Sequence, residues 1–178
     1  MLTAEVVQSI DDAIVLNVVL INEQSYPAAW EYDDSEEYYG QMFRKPKNIT
    51  ILLKNDGENV GFLLAIPHDD AVEELESDDP LMVYDPAIYY IENVAILPAY
   101  RNKEGFRKML DILRSELKKR EISKISMHAR VSNNLSKNIQ DNMNVIEIRR
   151  ISAWKYYNFE ETTDYIIAAW PSDPEDNK

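Results

Sequence analysis

The chain of 178 residues contains no cysteine, few basic side chains and no long apolar segment. The absence of cysteine excludes disulfide frameworks, thiolate zinc sites, iron–sulfur clusters and a cysteine nucleophile. The longest mainly apolar run, residues 13–21, is interrupted by Asn17 and is far shorter than the roughly 20 residues that cross a bilayer. The first residues also lack the basic stretch of a signal peptide. We therefore expect a cytoplasmic protein without a membrane partner.

Basic residues are scarce, and their distribution is uneven. The chain has 19 Lys and Arg against 32 Asp and Glu, with a net charge of -13. This balance argues against direct binding of nucleic acid, because neutralising phosphates requires clustered Lys and Arg. Residues 1–43 and 55–100 contain acids and no base, whereas residues 101–124 contain nine bases and four acids. One short basic segment therefore lies in an otherwise acidic chain.

The length and the apolar content of 45% suit one globular domain. We predict a single domain over residues 1–170 and a polar tail over 171–178. The clearest helix covers residues 104–120, because its apolar residues are spaced by three and four positions. The other predicted helices cover residues 10–24, 31–43, part of 68–86, 134–140 and 145–157, and Ile and Val in the first suit a strand equally. The predicted strands cover residues 48–54, 60–67, 87–97, 124–131 and 164–170, which gives an α/β domain with a mixed sheet.

The most informative segment covers residues 89–134. Its motif Ile96-Leu97-Pro98-Ala99-Tyr100-Arg101 is followed by a turn, a long amphipathic helix and a strand. This arrangement resembles the GNAT superfamily of N-acetyltransferases, whose signature is a V-x-P-x-Y-R type segment leading into an R-x-x-G-x-G/A turn. The resemblance implies a GNAT-like mixed, mostly antiparallel central sheet flanked by helices, and acetyl-CoA as the acyl donor.

The resemblance also implies where acetyl-CoA binds. A helix N-terminus offers unpaired N–H groups and a positive dipole end, which suit the phosphates of a nucleotide-like ligand. The basic segment begins at this turn. By resemblance, the pantetheine arm is lined by Val94, Ala95 and Ile96, and the family's asparagine after the strand corresponds to Asn134. The phosphates would be cradled by Arg101, Asn102, Lys103, Glu104, Gly105, Phe106, Arg107 and Lys108.

The turn departs from the family pattern at both glycines. They align with Glu104 and Phe106, and Gly105 lies between them. A glutamate is electrostatically adverse to phosphate, and a phenylalanine can block close approach of the backbone. The alternative is a solvated helix start, with Glu104 favouring the helix dipole and Phe106 in the core.

The catalytic candidates lie in two other segments. The family usually has a helix reading Y-x-x-x-G-F, whose tyrosine protonates the departing thiolate. Trp154 aligns with that tyrosine and Asn158 with the glycine, so Tyr157 is the best substitute, unless it only packs at the surface. Tyr90 and Glu92 share one face of the strand that meets the acetyl group in the family. We therefore expect Glu92 to be the general base, unless it simply faces solvent.

The two histidines rank below Glu92 as bases. His128 lies in a predicted strand, where a structural role is the simpler interpretation. His68 lies at a strand end beside two aspartates and is the poorer candidate base.

The acidic runs over residues 33–37 and 69–79 lack the ligand spacing of a calcium loop, and we expect no metal. They are either solvated faces or negative walls that attract a cationic acceptor. We expect an acetyl-CoA-dependent N-acetyltransferase that acts by direct transfer on a cationic amine, namely a polyamine, an amino sugar or a lysine-containing peptide. The alternatives are a catalytically degenerate CoA-binding regulator and an acidic protein-interaction module. The oligomeric state stays open, with a dimer as one possibility.

Overall fold

The structure is a computed structural model that describes residues 1–27, 34–101, 104–156 and 159–170. Within these residues, seven strands and five helices follow one another, with 3-10 turns at Pro98–Tyr100 and Val131–Asn133. In chain order they are β1 (Leu2–Val6), α1 (Asp12–Ser25), α2 (Ser35–Arg44), β2 (Ile49–Asn55), β3 (Glu58–Pro67), α3 (His68–Leu75), β4 (Ile88–Ile96), α4 (Gly105–Lys118), β5 (Lys124–Arg130), α5 (Leu135–Asn142), β6 (Asn144–Tyr156) and β7 (Phe159–Ala169). None of these helices is both long and apolar enough to cross a membrane.

The strands form one sheet in the order β1-β2-β3-β4-β5-β7-β6. Every neighbouring pair is antiparallel except β4 and β5, which are parallel. The parallel pairing joins only Ile88–Tyr90 to Lys124–Ser126, although both strands continue beyond it. The sheet therefore opens between the ends of β4 and β5. This is the predicted mixed, mostly antiparallel sheet.

Helices cover both faces of the sheet, with α1, α2 and α3 packed on one face and α4 and α5 on the other. A sheet covered on both faces needs apolar side chains on both faces. This explains the buried runs 49–53 of β2, which is apolar except for Thr50, and 60–66 of β3, which is apolar throughout. The predicted amphipathic helix is α4, whose inner face consists of Met109, Leu110, Leu113 and Leu117.

Two predictions of secondary structure need correction. Residues 145–157 were predicted as a helix, and this is wrong, because residues 144–156 form strand β6. Its register against β7 shifts between Val145 and Glu147 and again between Ile151 and Trp154. Each β-bulge adds a residue and breaks the alternation, so the apolar positions imitate helical spacing. The short strand β1 was not predicted.

Candidate functional site

A cleft of about 120 Å³ opens where β4 and β5 diverge. Its walls come from α1, α3, β4, β5, the turn before α5, β6 and β7. The lining residues are Asn22, Tyr26, Glu74, Leu75, Tyr90, Ile91, Glu92, Asn93, Val94, Met127, His128, Arg130, Asn133, Leu135, Trp154 and Thr163. Tyr90, Glu92 and Val94, three of the residues predicted from the sequence, therefore lie at one place.

A β-bulge in β4 positions the polar side chains of this cleft. Leu64 of β3 pairs with Asn93, and the next residue, Ala65, pairs with Ile91, so Glu92 is the extra residue. Glu92 accepts a hydrogen bond from Tyr38 of α2, and Asn93 donates one to Tyr39 of α2. Two consecutive side chains therefore point towards α2, which an unbroken strand would not allow.

Glu92 is half-buried in this setting and accepts the Tyr38 hydroxyl at 2.7 Å on Oε1. Burial raises the pKa of its carboxyl group from 4.5 to about 7. The Tyr38 hydrogen bond opposes this increase, whereas the nearby carboxylate of Glu74 adds to it. Burial also raises the pKa of Glu74. A carboxyl group that titrates near neutral pH in a cleft can act as a general base.

Asn93 joins β4 to the first two helices through a hydrogen-bond network. Its Nδ2 donates to the Tyr39 hydroxyl at 2.8 Å and to Asn22 Oδ1 at 3.4 Å. The Tyr26 hydroxyl donates to Asn93 Oδ1 at 3.3 Å and also to the carbonyl of Val94. The sequence analysis missed Asn93, because strand alternation puts it on the opposite face from Glu92.

The other cleft wall contains a chain of hydrogen bonds centred on His128 of β5. Its Nδ1 lies 2.8 Å from the Tyr90 hydroxyl, and its Nε2 lies 3.0 Å from Oδ2 of Asp79. Arg149 of β6 also donates to Asp79 Oδ2, at 2.6 Å. The imidazole stacks on Trp154, with ring centroids 4.1 Å apart. The sequence identified Tyr90 but not this chain, and treated His128 as structural.

The predicted phosphate turn has the backbone shape that suits the first motif glycine, although Glu104 occupies that position. Glu104 caps the N-terminus of α4 in the left-handed conformation, with φ of 62°, which glycine adopts most easily. Gly105 begins α4 close to Leu53, and an added Cβ would lie 2.6 Å from Leu53 Cδ2. Glu104 therefore replaces the first motif glycine at the position where φ is positive. The neighbouring Gly105 is required by its close contact with Leu53.

The basic side chains around this turn differ in their contacts. Arg101 donates to the carbonyls of Ile96 and Ser25, so its guanidinium joins the turn to β4 and α1. Arg107 is exposed and lies 3.4 Å from the Glu104 carboxylate, and Lys108 is half-buried. Phe106 is half-buried against the core beneath α4. Asn102 and Lys103 lie outside the described residues.

Several predicted site residues have other surroundings. Ala95 is buried in the core on the α1 side, and Ile96 packs on the α4 side. Asn134 is exposed and caps α5 with φ of 60°, whereas its neighbour Asn133 lines the cleft. Tyr157 lies outside the residues that the structure describes. Trp154 belongs to a strand, so its alignment with the tyrosine of the family's helix does not hold.

The helix that follows β5 is α5, and its sequence LSKNIQDN contains no tyrosine. The residues that lead from α5 into β6, 140–145, contain none of the tyrosine, glycine and phenylalanine of the Y-x-x-x-G-F pattern. Gln140 Nε2 donates to the side chain and the carbonyl of Ser136. Among the residues in the described ranges, no three His, Asp or Glu side chains group to hold a metal ion.

Solved structures with the same fold are numerous at low identity. The ribosomal-protein-S18-alanine N-acetyltransferase from Escherichia coli superposes with a TM-score of 0.66 at 15% identity, covering 98% of this chain and 97% of that one. A spermidine N-acetyltransferase chimera from Vibrio cholerae and hSSAT gives 0.67 at 14%, covering 94% and 95%. An aminoglycoside 6'-N-acetyltransferase complexed with coenzyme A gives 0.65 at 12%, covering 96% and 98%.

No curated protein sequence matches the chain. The family model described as the acetyltransferase (GNAT) family matches residues 16–139. This match covers more than half of the sequence. It includes β4, which forms one wall of the cleft, and also the turn before α4 and the whole of β5. The family uses acetyl-CoA. The chain therefore belongs to the GNAT family of acetyltransferases.

Proposed function

We propose that this protein transfers an acetyl group from acetyl-CoA directly to a cationic amine, with Glu92 as the general base. The observation that carries the proposal is the position of Glu92 in the cleft, where burial raises its pKa to about 7. An amine attacks a thioester only as the neutral base. A carboxylate titrating near neutral pH can take the ammonium proton and later release it to solvent.

The donor would bind along the end of β4 and at the N-terminus of α4. Beyond Tyr90, β4 leaves its parallel neighbour, so a ligand can run beside this edge of the strand, where the carbonyls of Val94 and Ile96 already accept from Tyr26 and Arg101. The first N–H groups of α4 have no partner within the helix, and Arg107 and Lys108 follow in its first turn. These features fit the pantetheine and phosphate groups of acetyl-CoA. Backbone N–H groups of β4 would polarise the thioester carbonyl.

The acceptor side of the cleft is acidic. Glu74 of α3 and Glu92 of β4 line it, and the charge of Glu74 contributes to the raised pKa of Glu92. Two neighbouring carboxyl groups attract a cation and are stabilised by it. The named relatives act on spermidine, aminoglycosides and a ribosomal protein. We propose the same broad class, an amine that is positively charged at neutral pH.

The first experiment is calorimetric titration with acetyl-CoA, followed by mass spectrometry after incubation with spermidine, an aminoglycoside and lysine-containing and alanine-initiated peptides. We expect acetyl-CoA to bind and at least one amine to gain an acetyl group. Glu92→Gln should lower kcat about 100-fold or more, because a positioned base contributes this much, and should leave acetyl-CoA affinity within about twofold. Glu58→Gln, which changes an exposed glutamate at the start of β3, is the matched control.

A second candidate function is a CoA-binding regulator without catalysis. Two observations favour it: α5 has no tyrosine, and Glu104 lies where the phosphates would bind. In that case acetyl-CoA would bind and no amine in the panel would be acetylated. Absence of acetyl-CoA binding would reject both candidates.

A further inference from the structure

We infer that two copies of this chain pair through the outer edge of β6 and continue the sheet across a two-fold axis at Ile148. β6 is the last strand of the sheet, and with 13 residues it is also the longest. Within the described residues, no other strand pairs with its outer edge. An edge strand presents unpaired N–H and C=O groups, which form a template for another strand. The inference concerns assembly and does not depend on the proposed acetyl transfer.

The two edges of the sheet differ in how well they suit a partner strand. β1, at the other edge, has only five residues, and its Glu5 forms an ion pair with Lys54 of β2. Short edge strands and charged side chains both oppose pairing between molecules. In β6, by contrast, Ile146 and Ile148 are 59% and 45% exposed. Because isoleucine favours strand pairing, the β6 edge suits a partner strand and the β1 edge does not.

The two β-bulges of β6 limit the segment that can pair regularly. They lie between Val145 and Glu147 and between Ile151 and Trp154, so residues 147–151 form the regular part of the edge. Bulges bend a strand and interrupt its ladder. Pairing is therefore confined to one short segment, and a two-fold axis uses that segment in both copies. Such a contact closes as a dimer and leaves no second β6 edge for a third copy.

Side chains of this segment alternate between the two faces of the sheet. Arg149 pairs with Tyr165 of β7 and lies over its ring, on the face covered by α1, α2 and α3. Glu147 pairs with Ile167, which packs against the same core. Glu147 and Arg149 therefore share one face, and Ile148, between them, points to the opposite face.

Charge selects one register for the pairing. A two-fold axis normal to the sheet makes the strands antiparallel, and one residue then lies opposite its own copy, because directly opposite side chains share a face. With Glu147, Arg149 or Arg150 at the axis, two like charges would face each other, which is destabilising. Ile151 at the axis would require pairing across the second bulge. Ile148 at the axis instead brings two isoleucines together, with Glu147 of each copy opposite Arg149 of the other.

Ion pairs within the chain neutralise the basic residues of this edge. Arg149 donates to Asp79, and Arg150 donates to both carboxylate oxygens of Asp164. Two β6 edges therefore approach each other with little excess positive charge. A guanidinium has five N–H donors, and the Arg149 side chain is 23% exposed. It can thus bind Glu147 of the other copy while it holds Asp79.

Analytical ultracentrifugation of the full chain at about 100 µM tests the assembly. We expect a mass twice the 20.7 kDa of the chain. Glu147→Arg should raise the dissociation constant of the dimer about 30-fold, because two attractive cross-strand pairs become repulsive. Glu58→Arg makes the same change of net charge at an exposed residue of β3. It is the matched control and should leave the dissociation constant within about threefold.

Cross-linking tests the register, because the chain has no cysteine of its own. Side chains directly opposite each other have Cβ atoms about 4.5 to 5.5 Å apart, so mild oxidation or a short bis-maleimide should join two copies of Ile148→Cys. Leu16→Cys changes an apolar residue of α1 that is 47% exposed, against 45% for Ile148, and should stay unlinked.

A wild type that is monomeric at this concentration would overturn the inference, whatever else covers the β6 edge. A dimer that is unaffected by Glu147→Arg, or that does not cross-link through Ile148→Cys, would overturn it too, because the contact would then lie elsewhere or in another register. None of these measurements requires catalysis, so their outcome is independent of whether the protein acetylates an amine.

Discussion

Glu104 combines two properties that a set of variants can separate. It has positive φ at the N-terminus of α4, and it puts a negative charge where the phosphates of acetyl-CoA are proposed to bind. Left-handed backbone costs a non-glycine residue about 1 to 2 kcal/mol, and glycine loses about 0.5 to 1 kcal/mol more entropy on folding. Replacing Glu104 with glycine should therefore gain about 1 kcal/mol from conformation alone. Loss of the favourable charge at the helix N-terminus offsets this by about 0.5 kcal/mol.

The charge makes a separate contribution to acetyl-CoA binding. Two unit charges about 4 Å apart in water interact with about 1 kcal/mol, which corresponds to about a fivefold change in affinity. Glu104→Gly and Glu104→Gln should therefore both bind acetyl-CoA about fivefold more tightly at low salt. The two variants have the same charge, so the difference of about 1 kcal/mol in their free energies of unfolding isolates the backbone effect.

The control is Glu121, which also has positive φ, 60°, and follows the C-terminus of α4. Glu121→Gly should stabilise the fold by about 1.5 kcal/mol, because it removes both strain and an adverse charge at the helix C-terminus. It should leave acetyl-CoA affinity unchanged. Chemical denaturation and calorimetry measure both quantities. Equal stability of Glu104→Gly and Glu104→Gln would refute the conformational argument, and unchanged affinity in both would refute the position of the phosphates.

Two further predictions concern stability. The pKa of Glu92 is higher in the folded state, so its contribution to stability is fully present below pH 4.5 and is lost as the pH rises through about 7. The free energy of unfolding of the wild type should therefore fall by up to about 3 kcal/mol between these pH values, whereas that of Glu92→Gln should not. A Glu92→Gln variant whose stability follows the wild-type pH profile would contradict this prediction. Gly105→Ala should destabilise the fold by about 1 to 2 kcal/mol, because its Cβ would meet the buried Leu53; an unchanged melting temperature would show that Leu53 moves aside.

The sequence predicted those elements whose signals are local. Spacing by three and four identified α4, and the Asp56-Gly57 turn identified the hairpin of β2 and β3. Alternation placed Tyr90 and Glu92 on one face, and the structure has both in the cleft. These patterns depend on neighbours within a few residues, which the sequence shows directly.

Features that depend on distant partners were not predictable in the same way. The bulge that turns Asn93 towards α2 is defined by the register of β3 against β4. The chain through His128 requires Asp79, 49 residues away, and Arg149, which is 70 residues from Asp79. Strand β6 was mistaken for a helix because its two bulges break the alternation on which strand prediction relies.

The central claim is that Glu92 serves as the base for acetyl transfer to a cationic amine. The most direct measurement is kcat for the best amine found by mass spectrometry, recorded from pH 5 to 9 for the wild type, Glu92→Gln and Glu58→Gln. We predict that wild type and Glu58→Gln rise together with an apparent pKa near 7, whereas Glu92→Gln is slow at every pH. A Glu92→Gln profile that coincides with that of the wild type would contradict the account.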